Sequence, residues 1–240
     1  MTIHSVGFIG LGNVGSKLAG SLLRNGYELM VRDLDRSLAE PFLAAGATWA
    51  DSPREMAQRC DMVFTCLPSP SACAAVMEGE AGLISGLSAG KIWAEMSTTD
   101  SGEVKRIAEL VRATGAEAID CPVSGGCHRA DTGNISIFAG CNRDTFDRAF
   151  PVLTSLGRRI LNTGDVGSAS ILKVMTNYLA TVNLVSVAEA LATAAAMDLD
   201  LGTTYEAIAI SSGTSFVHET EGQVILNGSR DISFTMDLVL

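Results

Sequence analysis

A lysine stands inside an apolar segment in the second half of the chain. In GSASILKVMTN, residues 167–177, Lys173 has apolar neighbours on both sides, and Asn177 follows four residues later. Burial disfavours a charged amine and lowers its pKa toward neutrality, where proton transfer is most efficient. Residues four apart share a helix face, so Asn177 could orient the lysine. The alternative is a lysine whose stem packs on apolar surface while its ammonium reaches water.

Glycines near the N-terminus form a second pattern with chemical meaning. In VGFIGLGNVGSKLAG, Gly10, Gly12 and Gly15 have the spacing G-x-G-x-x-G, after a predicted strand and at the start of a predicted helix. Such a turn brings backbone N–H groups and a helix N-terminus to a pyrophosphate. Asp33 ends the second predicted strand about twenty residues further on, where a carboxylate accepts hydrogen bonds from the adenosine ribose. The pattern predicts a dinucleotide site, and a purely structural glycine turn is the alternative.

The predicted cofactor is NAD, with NADP possible. The Asp33 carboxylate would repel a 2′-phosphate, which favours NAD. Arg32 and Arg36 flank Asp33 and could accept that phosphate, or could simply be solvated residues at a strand end. The residues of the turn that we expect to bind the cofactor are Gly10, Leu11, Gly12, Asn13, Val14 and Gly15.

The composition argues against several classes of protein. The formal net charge is −10 and the pI is near 4.7, which argues against nucleic-acid partners and anionic membrane surfaces. The N-terminus does not have the pattern of a signal peptide, and the apolar stretch around residues 182–197 is interrupted by Asn183 and Glu189, so no membrane span is expected. Six cysteines without a C-x-x-C pair predict reduced thiols in a cytoplasmic protein and no metal site.

The elements that must position these residues divide the chain in two. Up to about residue 163, short β-branched runs alternate with helical patterns, which predicts an α/β domain with a mainly parallel, doubly wound sheet over residues 1–164. Residues 165–240 are predicted to form a long interdomain helix, with Ser168 as its N-cap, and the start of an all-α C-terminal domain. The final run ISFTMDLVL has no helix cap, so we expect the helical domain to continue beyond it.

Four segments together resemble the β-hydroxyacid dehydrogenase family, which includes 3-hydroxyisobutyrate dehydrogenase and tartronate semialdehyde reductase. They are GFIGLGNVG at 7–15, EMST at 95–98, DCPVSGG at 120–126 and GSASILKVMTN at 167–177. The resemblance implies a Rossmann-type fold. It also implies an enzyme that transfers a hydride between NAD(P) and a small 2- or 3-hydroxy acid, or its oxo or semialdehyde form.

The resemblance also implies roles for individual residues. Lys173 would be the general acid/base, with Asn177 orienting it and the substrate. The turn formed by Ser124, Gly125 and Gly126 would hold the carboxylate of the substrate through backbone N–H groups and a hydroxyl. Thr98 would lie near the nicotinamide and the substrate. The backbone of Leu67 and Pro68 would pack along the cofactor, although prolines here could equally just end a strand.

Several alternatives stay open at this point. His128 and Arg129 follow the glycines where the family usually has small residues, and they could contact a distal group of the substrate or lie in solvent. An imine reductase is one alternative, but members of that branch often replace the lysine. A non-catalytic dinucleotide-binding module is another. The long apolar helix predicts a homodimer or homotetramer, since its apolar surface needs cover.

Overall fold

The computed structural model describes residues 2–229. They fall into two compact units, with the boundary between Lys173 and Val174. The final run ISFTMDLVL, and the prediction made for it, lie outside the described residues. The strands of the first unit are β1 (Ser5–Ile9), β2 (Glu28–Arg32), β3 (Thr48–Trp49), β4 (Met62–Thr65), β5 (Ile92–Glu95), β6 (Glu117–Asp120), β7 (Val123–Ser124), β8 (Ile135–Gly140) and β9 (Gly157–Gly164).

Helices alternate with these strands, as the sequence predicts. Those of the first unit are α1 (Gly15–Arg24), α2 (Glu40–Ala44), α3 (Pro53–Arg59), α4 (Pro70–Glu78), α5 (Ser101–Ala113), α6 (Gly126–Asp131) and α7 (Arg143–Leu156). Two 3-10 turns, Arg36–Ala39 and Leu83–Gly86, complete it. Helix α8 (Ser168–Ala196) begins in the first unit and continues in the second, followed by α9 (Leu201–Ala209) and α10 (Phe216–Asn227).

The sheet is mainly parallel and doubly wound. Its strand order is β3-β2-β1-β4-β5-β6-β8-β7, with β9 parallel to β8. The chain runs outward from β1 through β2 to β3 and then returns to β4 on the other side of β1. This reversal between β1 and β4 is the place where ligands bind in open α/β sheets. The predicted Rossmann-type fold class is confirmed.

One predicted strand is divided in the structure. The run EAIDCPV reads as a single strand, but β6 ends at Asp120 and a separate short strand, β7, begins at Val123. Pro122 lies between them and has no backbone N–H to donate to a ladder. Strand β8 runs antiparallel to both β6 and β7, so the sheet reverses direction at β8, which pairs with the segment that carries Ser124.

Apolar side chains cover both faces of the strands. Phe8 and Phe64 belong to the cluster on one face, with ring centroids 5.8 Å apart, while Val63 and Trp93 belong to the cluster on the other. Neighbouring residues of β4 thus point to opposite faces, and both faces are buried beneath helices. This explains the continuous apolar strands in the sequence.

Much of the apolar surface of α8 is exposed. Its apolar or aromatic side chains that are more than a third exposed include Ile171, Leu172, Val174, Met175, Tyr178, Leu179, Val182 and Val185. By length and composition α8 is also the one helix within residues 2–229 that could cross a membrane, a criterion that the core helices of soluble proteins meet as well. That no membrane is involved therefore stays a prediction.

Candidate functional site

The register of the parallel strands brings the predicted site segments to one edge of the sheet. The last residues of five strands lie side by side in the order Arg32, Ile9, Thr65, Glu95 and Asp120. The segments that follow them are the Asp33 region, the glycine turn, CLPSP, MST and CPVSGG. The parallel strands thus bring these five segments, which are far apart in sequence, to the carboxyl edge of the sheet. This edge is therefore the candidate site.

Two glycines of the turn are required by backbone packing, and the third borders open space. Gly10 has a φ of +98°, and a Cβ on it would lie 2.1 Å from the Cys66 carbonyl oxygen. A Cβ on Gly15 would lie 2.0 Å from the carbonyl oxygen of Gly10. A Cβ on Gly12 would meet nothing within 4 Å. Of these three glycines, Gly12 is therefore the one that borders open space, where a phosphate is predicted.

Asp33 is tied directly to this turn. Its Oδ2 accepts a hydrogen bond of 2.6 Å from the Leu11 backbone N–H, and its Oδ1 accepts one of 3.0 Å from the N–H of Asp35. The carboxylate thereby joins the end of β2 to the glycine turn. The guanidinium groups of Arg32 and Arg36 lie 5.6 and 5.0 Å from the ring centroid of Trp49. The two arginines thus form a cationic group next to Asp33 in the sequence. Their shared contact with Trp49 is not predicted by the sequence.

A buried carboxylate that the sequence analysis did not single out joins β4, β5 and α4. Glu95 has no exposed surface, and its Oε2 accepts hydrogen bonds from the Thr65 hydroxyl at 2.7 Å and the Cys73 thiol at 2.8 Å. Trp93 Nε1 donates to Thr65 Oγ1 at 2.9 Å. Burial raises the pKa of Glu95, and the hydrogen bonds from these donors oppose that shift.

Through its other oxygen, Glu95 supports the loops at the edge of the sheet. Oε1 accepts a hydrogen bond of 2.7 Å from the Ser97 backbone N–H, and Ser97 Oγ accepts one of 2.8 Å from the N–H of Leu67. Next to Ser97, Thr98 is exposed, and the buried hydroxyl of Thr99 has no partner among the described residues. Glu95 thus positions both loops for which a cofactor role is predicted.

Glu95→Ala is expected to lower the free energy of unfolding by about 3 kcal/mol, because each buried donor left without an acceptor costs about 1–3 kcal/mol. Urea denaturation would measure it. Glu95→Gln is the matched control, since its oxygen can still accept from Ser97 while its amide donates to the Thr65 oxygen and the Cys73 sulfur, whose own hydrogens turn away. Equal stability of Glu95→Ala and the unmodified protein would contradict this role.

The predicted carboxylate-binding turn follows β7. Ser124 pairs with Ser136 of β8, and Gly125 and Gly126 have φ values of +129° and +79°. A Cβ on Gly126 would meet nothing within 4 Å, so its surroundings are open. Arg129 in α6 packs its stem close to Gly125, while His128 is exposed. The turn has the open backbone that the sequence predicts, and its ligand stays a prediction.

Lys173 lies in the second turn of α8, within the first unit, and is partly buried. Desolvation lowers the pKa of its amine from 10.5 to about 8. Asn177 follows one helical turn later and belongs to the second unit. The lowered pKa agrees with the proton-transfer chemistry for which the sequence singled out this lysine.

A second buried carboxylate, Asp120, contacts the start of α8. Its oxygens accept hydrogen bonds from the backbone N–H groups of Gly167 and Ser170 and from the hydroxyl of Ser170. The sequence signal for Asp120 and for Glu95 is the same. Each is an acidic residue at the last position of a strand, directly after apolar residues.

Within residues 2–229, no group of three or more Cys, His, Asp or Glu side chains is placed to hold a metal ion. All six cysteines are free thiols. Burial raises the pKa of Cys66 to about 12 and that of Cys141 to about 12, so these thiols stay protonated at neutral pH.

Comparison with known proteins finds two family models that together match nearly the whole chain. The NAD-binding domain of 6-phosphogluconate dehydrogenase matches residues 5–164, and the NAD-binding domain of NADP-dependent 3-hydroxyisobutyrate dehydrogenase matches residues 167–240. The 2-(hydroxymethyl)glutarate dehydrogenase of Eubacterium barkeri is 32% identical over 234 residues, which cover 97% of this chain and 78% of that enzyme. The chain belongs to the β-hydroxyacid dehydrogenase family.

Other β-hydroxyacid dehydrogenases are similar to the same extent. The mitochondrial 3-hydroxyisobutyrate dehydrogenase of Mus musculus is 32% identical over 219 residues, covering 91% of this chain and 65% of the mouse enzyme. The crystal structure of 3-hydroxyisobutyrate dehydrogenase from Salmonella typhimurium superposes with a TM-score of 0.84 at 29% identity, covering 94% of this chain and 79% of that one. These matches confirm the predicted family.

The residues at the carboxyl edge fit a nicotinamide dinucleotide, the cofactor of the β-hydroxyacid dehydrogenase family. Gly12 leaves open space beside the N-terminus of α1, where the positive end of the helix dipole favours a pyrophosphate. The hydroxyl of Thr99 is a buried polar atom that lacks a partner among the described residues at the same edge. The predicted cofactor class is confirmed.

Proposed function

We propose that this protein transfers a hydride between a nicotinamide cofactor and a small 2- or 3-hydroxy acid, or its oxo or semialdehyde form, and that it prefers NAD. The observation that carries the proposal is the partly buried position of Lys173 near the start of α8, in the unit that also contains the dinucleotide turn. Desolvation there lowers the pKa of its amine to about 8. An amine with a pKa near the working pH exchanges protons efficiently with a hydroxyl or carbonyl group.

The chain's own groups divide the work of the reaction. When bound, the cofactor supplies or accepts the hydride. The turn at Gly10, Gly12 and Gly15 holds the pyrophosphate, and Asp33 is held beside it by the Leu11 N–H, with lone pairs left for ribose hydroxyls. The Asp33 carboxylate supports the preference for NAD, since a 2′-phosphate would meet a negative charge there.

The substrate is held by its carboxylate and loses or gains a proton at its hydroxyl oxygen. The positive φ angles of Gly125 and Gly126 support a turn that presents N–H groups to an anion, together with the Ser124 hydroxyl. In oxidation, neutral Lys173 accepts the proton of the substrate hydroxyl as the hydride leaves the carbon that bears this hydroxyl. In reduction, the Lys173 ammonium returns that proton to the carbonyl oxygen. Asn177 orients the amine, and Thr98 contacts the substrate side of the cofactor.

A spectrophotometric panel tests this function in the full chain. Short 2- and 3-hydroxy acids would each be assayed with NAD and with NADP, with cyclic imines and NADPH as a parallel arm. We expect turnover with at least one hydroxy acid and a higher kcat/KM with NAD. Turnover of cyclic imines alone would identify an imine reductase, and NADH binding without any turnover would identify a non-catalytic dinucleotide-binding module.

Two further expectations belong to this proposal. The exposed apolar side chains of α8 support a homodimer or homotetramer, because a helix with this much apolar surface needs cover in water. The free cysteines support a cytoplasmic location, where thiols stay reduced.

A further inference from the structure

The first turn of α8 is held by a carboxylate from a distant strand. Asp120, the last residue of β6, has no exposed surface. Its Oδ2 accepts hydrogen bonds from the N–H groups of Gly167 at 3.0 Å and Ser170 at 2.8 Å, and its Oδ1 accepts the Ser170 hydroxyl at 2.7 Å. Three donors from the start of one helix thus converge on one side chain that lies about fifty residues earlier in the chain.

Asp120 takes the role that the sequence assigned to Ser168. The Ser168 hydroxyl bonds instead to that of Thr163 at 2.7 Å, so the prediction that Ser168 caps α8 with its side chain is wrong. The first N–H groups of a helix have no partner within the helix, and a negative charge is favourable at that end. All three partners of Asp120 donate hydrogen bonds, which suits an ionised carboxylate, whereas burial acts to raise the pKa of Asp120.

Close backbone packing holds the start of α8 in the same place. Gly140, which pairs with Asp120 in the sheet, leaves no room for a Cβ, since one would lie 2.8 Å from the Asp165 carbonyl oxygen and 3.0 Å from Ser168 Oγ. The start of α8 therefore lies directly against the sheet. Because a helix is stiff over one turn, whatever fixes Ser170 also fixes Lys173, three residues further on.

We propose that Asp120 is a positioning residue for Lys173: by holding the first turn of α8 on the end of β6, it sets where the amine stands relative to the carboxyl edge of the sheet. This inference rests on the proposed function, in which Lys173 moves the proton. Asp120 itself touches neither substrate nor cofactor in this account.

Two substitutions separate the charge of Asp120 from its hydrogen bonds. Asp120→Asn keeps one oxygen for both N–H groups, and its amide can face the Ser170 hydroxyl, which can rotate to accept. Asp120→Ala removes all three bonds. Since small displacements of a reacting group can cost about a hundredfold in rate, we expect Asp120→Ala to lower kcat by about 100-fold with little change in KM, and Asp120→Asn to stay within about tenfold of the unmodified enzyme.

A double-mutant cycle decides whether the effect passes through Lys173. We expect the loss caused by Asp120→Ala to disappear in a Lys173→Ala background, where no amine remains to be misplaced. An equal loss in both backgrounds, or a rise in KM alone, would overturn the inference. If Asp120→Ala does not fold, Ser170→Ala can replace it, because it removes one of the three hydrogen bonds. We expect Ser170→Ala to lower kcat by about three- to tenfold, on the order expected for a weakened hydrogen bond. This loss should be absent in the Lys173→Ala background. Its persistence there would equally overturn the inference.

The outcome for Lys173→Ala distinguishes a failure of the proposed function from a failure of the positioning role of Asp120. Full turnover in that single variant would contradict the proposed function, and the role of Asp120 with it. Loss of turnover in Lys173→Ala together with an unchanged kcat in Asp120→Ala would leave the proposed function standing and overturn the positioning role alone.

Discussion

Lys173→Ala is expected to lower kcat for the best hydroxy-acid substrate by about 10²–10⁴-fold, the usual contribution of a general acid/base. Affinity for NADH should change little, because the glycine turn and Asp33, which we propose bind the cofactor, belong to elements other than α8. Steady-state kinetics and NADH fluorescence titration would measure the two quantities. Lys173→Met is the matched control for packing, since it keeps an unbranched stem of similar length without the amine. Turnover of either variant within about tenfold of the unmodified enzyme would contradict the role.

The pH dependence follows from the same amine and has opposite signs in the two directions. Oxidation needs neutral Lys173 as a base, so kcat/KM should rise with pH and level off above a pKa of about 8. Reduction needs the ammonium, so kcat/KM should fall as pH rises through the same value. Both limbs should vanish in Lys173→Met, and a limb that persists there would belong to another group.

The sequence predicts local parts of the site better than parts built across the sheet. The glycine turn and the acidic residue after β2 depend on residues within one or two neighbouring elements, and the structure joins them through the hydrogen bond between Leu11 and Asp33. Lys173 lies in the helix that its sequence neighbours predict, and its role stays a prediction. Glu95 and Asp120 depend on partners up to 50 residues away in the chain. Each can be recognised in the sequence as an acidic residue that follows apolar residues at the end of a strand. The groups that donate hydrogen bonds to each carboxylate become visible only from the register of the sheet.

Short elements were harder to predict for a physical reason. The strands β3 and β7 have two residues each, too few for a period of two to be recognised, and α6 is shorter than two turns. Pro122 lies at the break between β6 and β7, although the run EAIDCPV reads as a single strand. The helix cap shows the same limit, because Ser168 has the right type at the right place, yet a carboxylate from β6 accepts the helix N–H groups instead.

The three glycines of the turn should respond differently to substitution. Gly12→Val is expected to weaken NADH binding by about 100-fold, equivalent to about 2.7 kcal/mol, because its side chain would occupy the open space that the pyrophosphate needs. Without cofactor the variant should unfold at nearly the same temperature as the unmodified protein, since nothing lies within 4 Å of a Cβ at that position. Fluorescence titration and thermal denaturation of the cofactor-free protein would measure both effects.

Gly15→Ala is the contrasting variant, and together the two test whether the turn exists for the cofactor or for the fold. A Cβ on Gly15 would lie 2.0 Å from the Gly10 carbonyl oxygen, so helix α1 would have to move away from β1. We expect it to lose about 3 kcal/mol of stability even without cofactor, at the upper end of the cost of overpacking. If Gly12→Val destabilised the cofactor-free protein as much as Gly15→Ala, or bound NADH normally, the turn would be a structural device. Selective loss of binding in Gly12→Val would show that the space beside Gly12 is kept open for the dinucleotide.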